Sequence, residues 1–501
     1  MYTASAAVRR YREALLAQPW RPGYHFTVPD GNGMPGDPNG AFFADGRCHL
    51  MYLYRNDETN GYHWGHVSSV DLLHWRHHPD ALTVQDGDSG CFSGGGFVDD
   101  DGRAYLTFWK FPAKNEGGDR GGIALAVSEP PYDVWERMEP LALESGTARW
   151  GVTELDGRYI DSADPSNIWK KDGFYYMQTG NKCVLTTVGA QDPAYTGDWT
   201  DLLRSRDLKT WEYRGRFYVN SHAGEDWPDE TEDDMCPSFL PLPDAPEDGR
   251  LTDKWLQLFI SHNKGAQYYT GTLAGERFLP ETHGRFSWRD NTCFAPEALL
   301  DDRNRQIAWH WLLGSARQDY PRFGWTGVFS LPRLLWYDGG LRMAPVSELS
   351  RLACNPQTFE VGKPTGKASL SVKNGVSCRI KAGIRLQNAS FAAFRVLSDG
   401  EAYTEIGLDL VRGLLYVDST HGSAEGRPAR EEAPFVPAHD SVSLDIFVDR
   451  CVVEVFADDR QTVTRQVFPA RPTAMTGVEA VSDGADFGTV RAWEMMPSNP
   501  Y

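Results

Sequence analysis

From about residue 24 onward, apolar residues fall in short runs separated by turn-forming pairs, and these runs read as β-strands rather than helices. One arrangement recurs: a small or polar motif, an apolar strand, a turn carrying Asp or Gly, then an aromatic-rich strand. Five units show it. They open with DPNGAFFADGRCHLMYLY at Asp37, FSGGGFVDDDGRAYLTFW at Phe92, ADPSNIWKKDGFYYMQTG at Ala163, CPSFLPLPDAPEDGRLTDKWLQLFISHN at Cys236 and FAPEALLDDRNRQIAWHWLLG at Phe294. A single DP or DG pair marks a turn in any protein, but five aligned copies mark a repeat. The starts lie roughly 55 to 75 residues apart, room for four strands and long loops, so the pattern predicts a five-bladed β-propeller. The first strand of each blade lines the central channel of such a ring. Asp37, Phe92, Ser93, Asp164, the acidic run before Cys236, and Glu297 are therefore expected around one funnel.

Near residue 345 the pattern changes at MAPVSELSRLACNP, which reads as a linker over 346–360. Beyond it, KASLSVKNGVSCRIKAGIRL, YTEIGLDLVRGLLYVD and SVSLDIFVDRCVVEVFADD place hydrophobic residues at every second position, as a sandwich with one buried face requires. The expected fold class is thus all-β, a five-bladed propeller over 1–345 followed by a C-terminal β-sandwich over 361–501. Asp449, Glu454 and Asp458 of the sandwich are read as solvated or turn positions. The opening MYTASAAVRRYREALLAQPWRPGYHF reads as a short amphipathic helix with Leu15 and Leu16 against the domain, ended by Pro19. Arg9, Arg10, Arg12 and Glu13 interrupt its apolar residues, unlike a secretory signal.

Composition narrows the function. A chain of 501 residues exceeds what one core supports, which agrees with two domains. Its formal net charge of −19 argues against nucleic-acid or anionic-membrane partners, both of which need a positive field. A small molecule or oligosaccharide is the partner left. Aromatic residues make up 12%, which suits aromatic-rich strands and also rings that stack on sugar faces. No stretch of about 18 apolar residues occurs that would span a membrane. The eight cysteines are scattered singly with no CxxC pair, which fits reduced thiols in a cytoplasmic setting. His63, His66, His77 and His78 spell no zinc motif, and Gly94-Gly95-Gly96 lacks the strand-to-helix context of a nucleotide loop, so neither metal nor cofactor is expected.

Hydrolysis of a glycoside needs one carboxyl group to protonate the leaving oxygen and a second carboxylate as nucleophile or base. Units one, three, four and five each bring at least one. MPGDPNG resembles the nucleophile motif of glycoside hydrolase family 32, the invertase, inulinase and levanase group, and YHWGHVSSVDLLHW resembles the segment that follows it. DGDSGCFSGGGFVDDDGR, ADPSNIWKKDGFYYM, CPSFLPL, QYYTGTLAGERF, CFAPEALLDD and the C-terminal IFVDRCVVEVFADDRQTVTRQVFP agree with that family in order and spacing. The resemblance implies a retaining, exo-acting β-fructofuranosidase in which Asp37 is the nucleophile and Asp164 stabilises the sugar. It also implies that Phe92 and Ser93 line the pocket, while Trp64 is read either as an apolar wall or as core packing. An arabinofuranosidase, a fructosyltransferase and a sugar-binding pseudoenzyme are the alternatives.

The departures from the family matter equally. Met34-Pro35-Gly36 stand where Trp-Met-Asn is usual, Leu53 replaces a Gln, Ala163 replaces an Arg, and Met235 occupies the place of the general acid. Glu232, Asp233 and Asp234 lie just upstream. In a regular strand Asp233 shares a face with Met235, which favours it as the acid over Asp234, and a bulge reverses that choice. Glu297 stands where the family often has Gln and is read as a replacement sugar contact.

Overall fold

The computed structural model describes residues 13, 17–29, 33–85, 88–112, 121–146, 151–185, 192–220, 232–314 and 323–498. The helix expected at Leu15 and Leu16 lies outside the described residues. Elsewhere the regular structure is strand, relieved by short 3₁₀ turns.

Each of the five sequence units folds into an antiparallel meander. Blade 1 comprises Pro38–Ala44, Arg47–Arg55, Tyr62–Ser69 and Arg76–Leu82, and blade 2 comprises Gly96–Val98, Ala104–Pro112, Gly122–Ser128 and Glu136–Arg137. Blade 3 comprises Trp169–Lys171, Phe174–Gln178, Asp198–Ser205 and Trp211–Asn220. Blade 4 is built from Met235–Pro243, Leu251–Ser261, Gly265–Ala274 and Arg277–Arg285, and blade 5 from Cys293–Leu300, Gln306–Leu312, Arg333–Tyr337 and Leu341–Pro345. The blades surround one channel: Ala41, Gly96, Asn167, Leu240 and Ala298, one from each unit, line a single cavity of about 230 Å³.

Local sequence explains the turns and the closeness of the blades. Asp45-Gly46 and Asp172-Gly173 each take two successive left-handed conformations (φ 50° and 69°, 51° and 75°), the geometry of a tight hairpin between the first two strands of a blade. The Gly94-Gly95-Gly96 run serves packing. A Cβ on Gly95 would lie 2.3 Å from the Asn167 nitrogen and one on Gly96 2.6 Å from the Gly40 oxygen, so only glycine lets blade 2 approach both neighbours. Between blades 3 and 4 aromatic rings interleave, with Phe239 stacked on Trp255 at 4.7 Å and edge-on to Phe217 at 4.9 Å.

The sandwich consists of two six-stranded sheets. In Ser377–Arg385 the inward residues are Cys378, Ile380, Ala382 and Ile384, the alternation expected of a half-buried strand. The stretch read as linker is shorter than expected. A 3₁₀ turn covers Ser347–Arg351, and Ala353–Glu360 already pairs with Thr489–Met495 as a sandwich strand.

Asp449 and Glu454 correct the reading of them as solvated positions, since both are fully buried where the two domains meet. Asp449 Oδ1 accepts from the Gly23 N–H, and its Oδ2 accepts from the N–H groups of Tyr24 and His25. His25 bridges Asp449 and Glu454 through its two ring nitrogens at 2.9 and 3.1 Å, and Arg333 of blade 5 pairs with Glu454 at 2.8 Å. Buried carboxylates persist only with partners of this kind, and here the partners come from the propeller.

Candidate active site

Four unit openings carry an X-Pro pair: Asp37-Pro38, Asp164-Pro165, Cys236-Pro237 and Ala295-Pro296. Asp164, Cys236 and Ala295 all sit in the left-handed region at φ 40°, 50° and 40°. Such conformations cost about 1–3 kcal/mol each and survive where the surrounding fold fixes them. Here they interrupt the extended backbone at the first residues of blades 3, 4 and 5.

Asp37 and Asp164 meet there. Asp37 is buried, its Oδ2 accepts a 2.9 Å bond from the Ser93 hydroxyl, and its Oδ1 has no protein partner among the described residues. Burial pushes its carboxyl up to about 7, against the Ser93 bond, and the neighbouring charge of Asp164 adds to the rise. Asp164 Oδ2 accepts from the Cys236 N–H at 3.3 Å and from its thiol at 3.6 Å. Burial raises Asp164 to about 6, while Lys182 and His262 favour its ionised form. The Cys236 thiol also reaches the Ser93 hydroxyl at 3.4 Å, so blades 1 to 4 are joined at this point.

Aromatic rings border the carboxylates. Phe92 packs against Trp109 at 5.5 Å and Tyr62 at 4.8 Å, and Phe294 stands edge-on to Trp311 at 5.9 Å. Such rings can cover the apolar faces of a sugar. Trp64 is not among them. It is fully buried, its indole N–H donates to the Cys91 carbonyl at 3.1 Å, and it packs with Leu53, Leu106 and Phe108, so of its two readings the structure bears out core packing and not the pocket wall. Glu297 also differs from the sugar contact expected. Both of its oxygens are occupied within the channel wall, Oε1 by the Ala41 N–H at 2.7 Å and Oε2 by the Ser238 hydroxyl at 2.9 Å. Burial lifts its carboxyl to about 8.

The acidic run splits three ways. Glu232 turns inward to the Lys264 ammonium at 2.6 Å, with Ser261 and Gln267 on its other oxygen. Asp234 is sealed beside Asp198 and Tyr218, where burial and the Asp198 charge push it strongly towards its neutral form. Only Asp233 turns towards the site, and its oxygens accept the His262 backbone N–H at 3.0 Å and the His262 Nδ1 hydrogen. Met235 is buried among Trp109, Ala163 and Ile260. The strand is bulged between Met235 and Ser238, and Asp234 and Cys236 are left-handed (φ 42° and 50°), so simple alternation does not hold.

Two residues that the sequence reading passed over complete the site. Lys182 fills the room left by Ala163 and Gly151: a Cβ on Gly151 would lie 2.7 Å from its Cδ and 3.0 Å from the Ala163 Cβ. Its ammonium lies 4.5 Å above the Trp109 ring and supplies a positive charge near Asp164. His262 follows the second strand of blade 4, its side chain 52% exposed at the mouth. The register Met235↔Ile260 carried two residues further along both strands sets Asp233 opposite His262. A lone His after an apolar strand gave no other signal.

Among the described residues, His49, His66 and His78 bring ring nitrogens within 4.8 Å of one another. Among the described residues a single hydrogen bond runs between these rings, that between His49 and His66. His49 Nδ1 lies 2.9 Å from His66 Nε2, and His78 spends its nitrogens on Asp133 at 2.6 Å and Ser68 at 2.8 Å. The rings of His66 and His78 are stacked, 4.2 Å and 16° apart.

The model of the glycosyl hydrolases family 32 N-terminal domain matches residues 25–345, and that of the family's C-terminal domain matches 347–494. The chain belongs to glycosyl hydrolases family 32. Among relatives of this family 32 chain, the levanase of Bacillus subtilis (strain 168) is 26% identical over 96% of the chain and 71% of its own length. A sucrose-6-phosphate hydrolase of Escherichia coli is 27% identical over 89% of each. The crystal structure of fructan 1-exohydrolase IIa from Cichorium intybus superposes with a TM-score of 0.78 at 19% identity, covering 96% of this chain and 98% of that one. The propeller with a trailing sandwich is thus the family fold, and the chain is a glycoside hydrolase by family.

Proposed function

We propose that this family 32 chain is a retaining, exo-acting β-fructofuranosidase, with Asp37 as nucleophile and Asp164 as the carboxylate that holds the sugar. The observation that carries the reading is the divided state of Asp37. One oxygen is fixed by Ser93 while the other, Oδ1, has no protein partner among the described residues and lies beside Asp164. In the first step Oδ1 attacks the anomeric carbon as its bond to the leaving oxygen breaks, and in the second water releases the sugar from the ester. The relatives' names, levanase and sucrose-6-phosphate hydrolase, support a fructosyl group as the unit transferred. The eight cysteines, all outside disulfide bonds, suit a reducing, cytoplasmic setting.

Sucrose, sucrose 6-phosphate, 1-kestose, levan and an aryl α-arabinofuranoside should be offered in methanol-containing buffer, with products followed by NMR. Formation of methyl β-fructofuranoside is expected, one fructosyl unit at a time, and the α-anomer would rule out retention. Asp37→Ala should fold normally and lose at least about 1,000-fold in turnover. The buried Met235 favours a second reading, a sugar-binding protein without turnover, which sugar binding with no product from any probe would select.

A further inference from the structure

We propose that His262 is the general acid and base of this site and that Asp233 is the residue that positions it. The assignment rests on the retaining reading of Asp37 and supplies the proton that the reading lacks, because the thioether at Met235 has none to give.

The geometry is that of an oriented imidazole. Asp233, whose side chain is only 4% exposed, accepts from the His262 backbone N–H and from Nδ1, so both the position of the ring and its tautomer are fixed. Nδ1 carries a proton in either charge state, and Nε2 is the nitrogen that gains or loses one. Asn291 holds the His262 carbonyl at 2.8 Å, and the ring stands edge-on to Phe294 at 5.9 Å. Half-exposure at the channel mouth is where a leaving group must depart.

The charges facing His262 come from three blades. Asp233 lies on blade 4, Asp164 and Lys182 on blade 3, and Asp37 on blade 1 feels its charge in turn. Burial works against a charged ring, but the Asp233 bond and the charges of Asp233 and Asp164 outweigh it and the opposing Lys182, so the imidazole gains a proton more readily than usual. An imidazolium close to two carboxylates also favours their ionised forms.

As Asp37 Oδ1 bonds to the anomeric carbon, the electron pair of the breaking C–O bond passes to the leaving oxygen, which takes the Nε2 proton. Neutral Nε2 then accepts a proton from the water that attacks the anomeric carbon. The ester bond breaks, and Asp37 and imidazolium are restored.

The test compares His262→Ala, His262→Gln and Asp233→Asn with the parent enzyme on sucrose, 1-kestose and a 4-nitrophenyl β-fructofuranoside, each over a pH series. His262→Ala should lose about 100-fold or more on the sugar substrates but under about tenfold on the aryl furanoside, whose leaving group needs little proton. Its basic limb should disappear, and added imidazole should restore turnover. His262→Gln, closer in shape, should repeat the pattern and guards against a folding effect of alanine. Asp233→Asn should move the basic limb to lower pH, because it removes the anion that favours the imidazolium. If both His262 variants keep sucrose turnover within about threefold and keep the basic limb, the proposal is overturned while Asp37→Ala still tests the nucleophile. Absence of product from every substrate with the parent enzyme would overturn both readings together.

Discussion

At the level of single residues the site depends on how much each neighbour offsets burial. In the proposed mechanism Asp37, raised to about 7, and Asp164, raised to about 6, act as carboxylates, so activity should rise with pH through that range. Ser93 favours the ionised form of Asp37 by donating to Oδ2, and Ser93→Ala withdraws that donor. The acidic limb of kcat/KM should therefore move up by about one pH unit, with the activity plateau narrowed from its acid side. An unmoved limb would separate Ser93 from the titration of Asp37. Asp37, Asp164 and Ser93 stood out in the sequence because each is the first or second residue of a repeated unit. Lys182 and His262 were not, since each lies within an ordinary turn and gains meaning only when chain pairing brings it beside Asp164 or Asp233.

At the level of strands the repeat was readable and the details of its first residues were not. Alternation reports which face a residue takes only while φ stays in the β region, and left-handed Asp234 and Cys236 interrupt it at the acidic run. The same limit applied to Glu297, whose unit and channel position were foreseen but whose partners were not. It links blade 5 to blade 1 through the Ala41 N–H and to blade 4 through the Ser238 hydroxyl. Glu297→Ala would leave that N–H and hydroxyl buried without an acceptor and should cost about 1–3 kcal/mol, read as a lowered Tm with KM unchanged for the sugar substrate. Its carboxyl, raised to about 8, binds a proton in the folded protein where the unfolded chain has lost it. The stability difference between the parent and Glu297→Gln should consequently shift as pH rises between the ordinary value of 4.5 and about 8, the parent losing ground. A raised KM with unaltered Tm would return Glu297 to the sugar site.

At the level of the molecule, two domains were visible from the change of strand pattern near residue 345, but the chemistry joining them was hidden, because a charged residue on an alternating strand reads the same whether it faces water or a partner domain. His25, Asp449, Glu454 and Arg333 have fully buried side chains, two cations set against two anions, with the cations on the propeller side and the anions on the sandwich. Removing one member strands its partners: Arg333→Met should lower stability by about 3–5 kcal/mol, because Glu454 would keep its charge with one fewer donor. The alkaline limit of this joint is set by His25. Burial disfavours its charge, but bonds to Asp449 and Glu454 raise it from 6.5 to about 9. A raised histidine contributes stability that is fully present below its unfolded value and lost as pH rises through its folded one, so the window runs from 6.5 to about 9. Asp449 and Glu454 are both held below their ordinary values and stay ionised throughout that window, which leaves His25 as the member that changes. Denaturant unfolding at intervals across the window should show the parent losing stability relative to His25→Gln as pH increases, and parallel curves for the two proteins would show that His25 is not charged in the folded state.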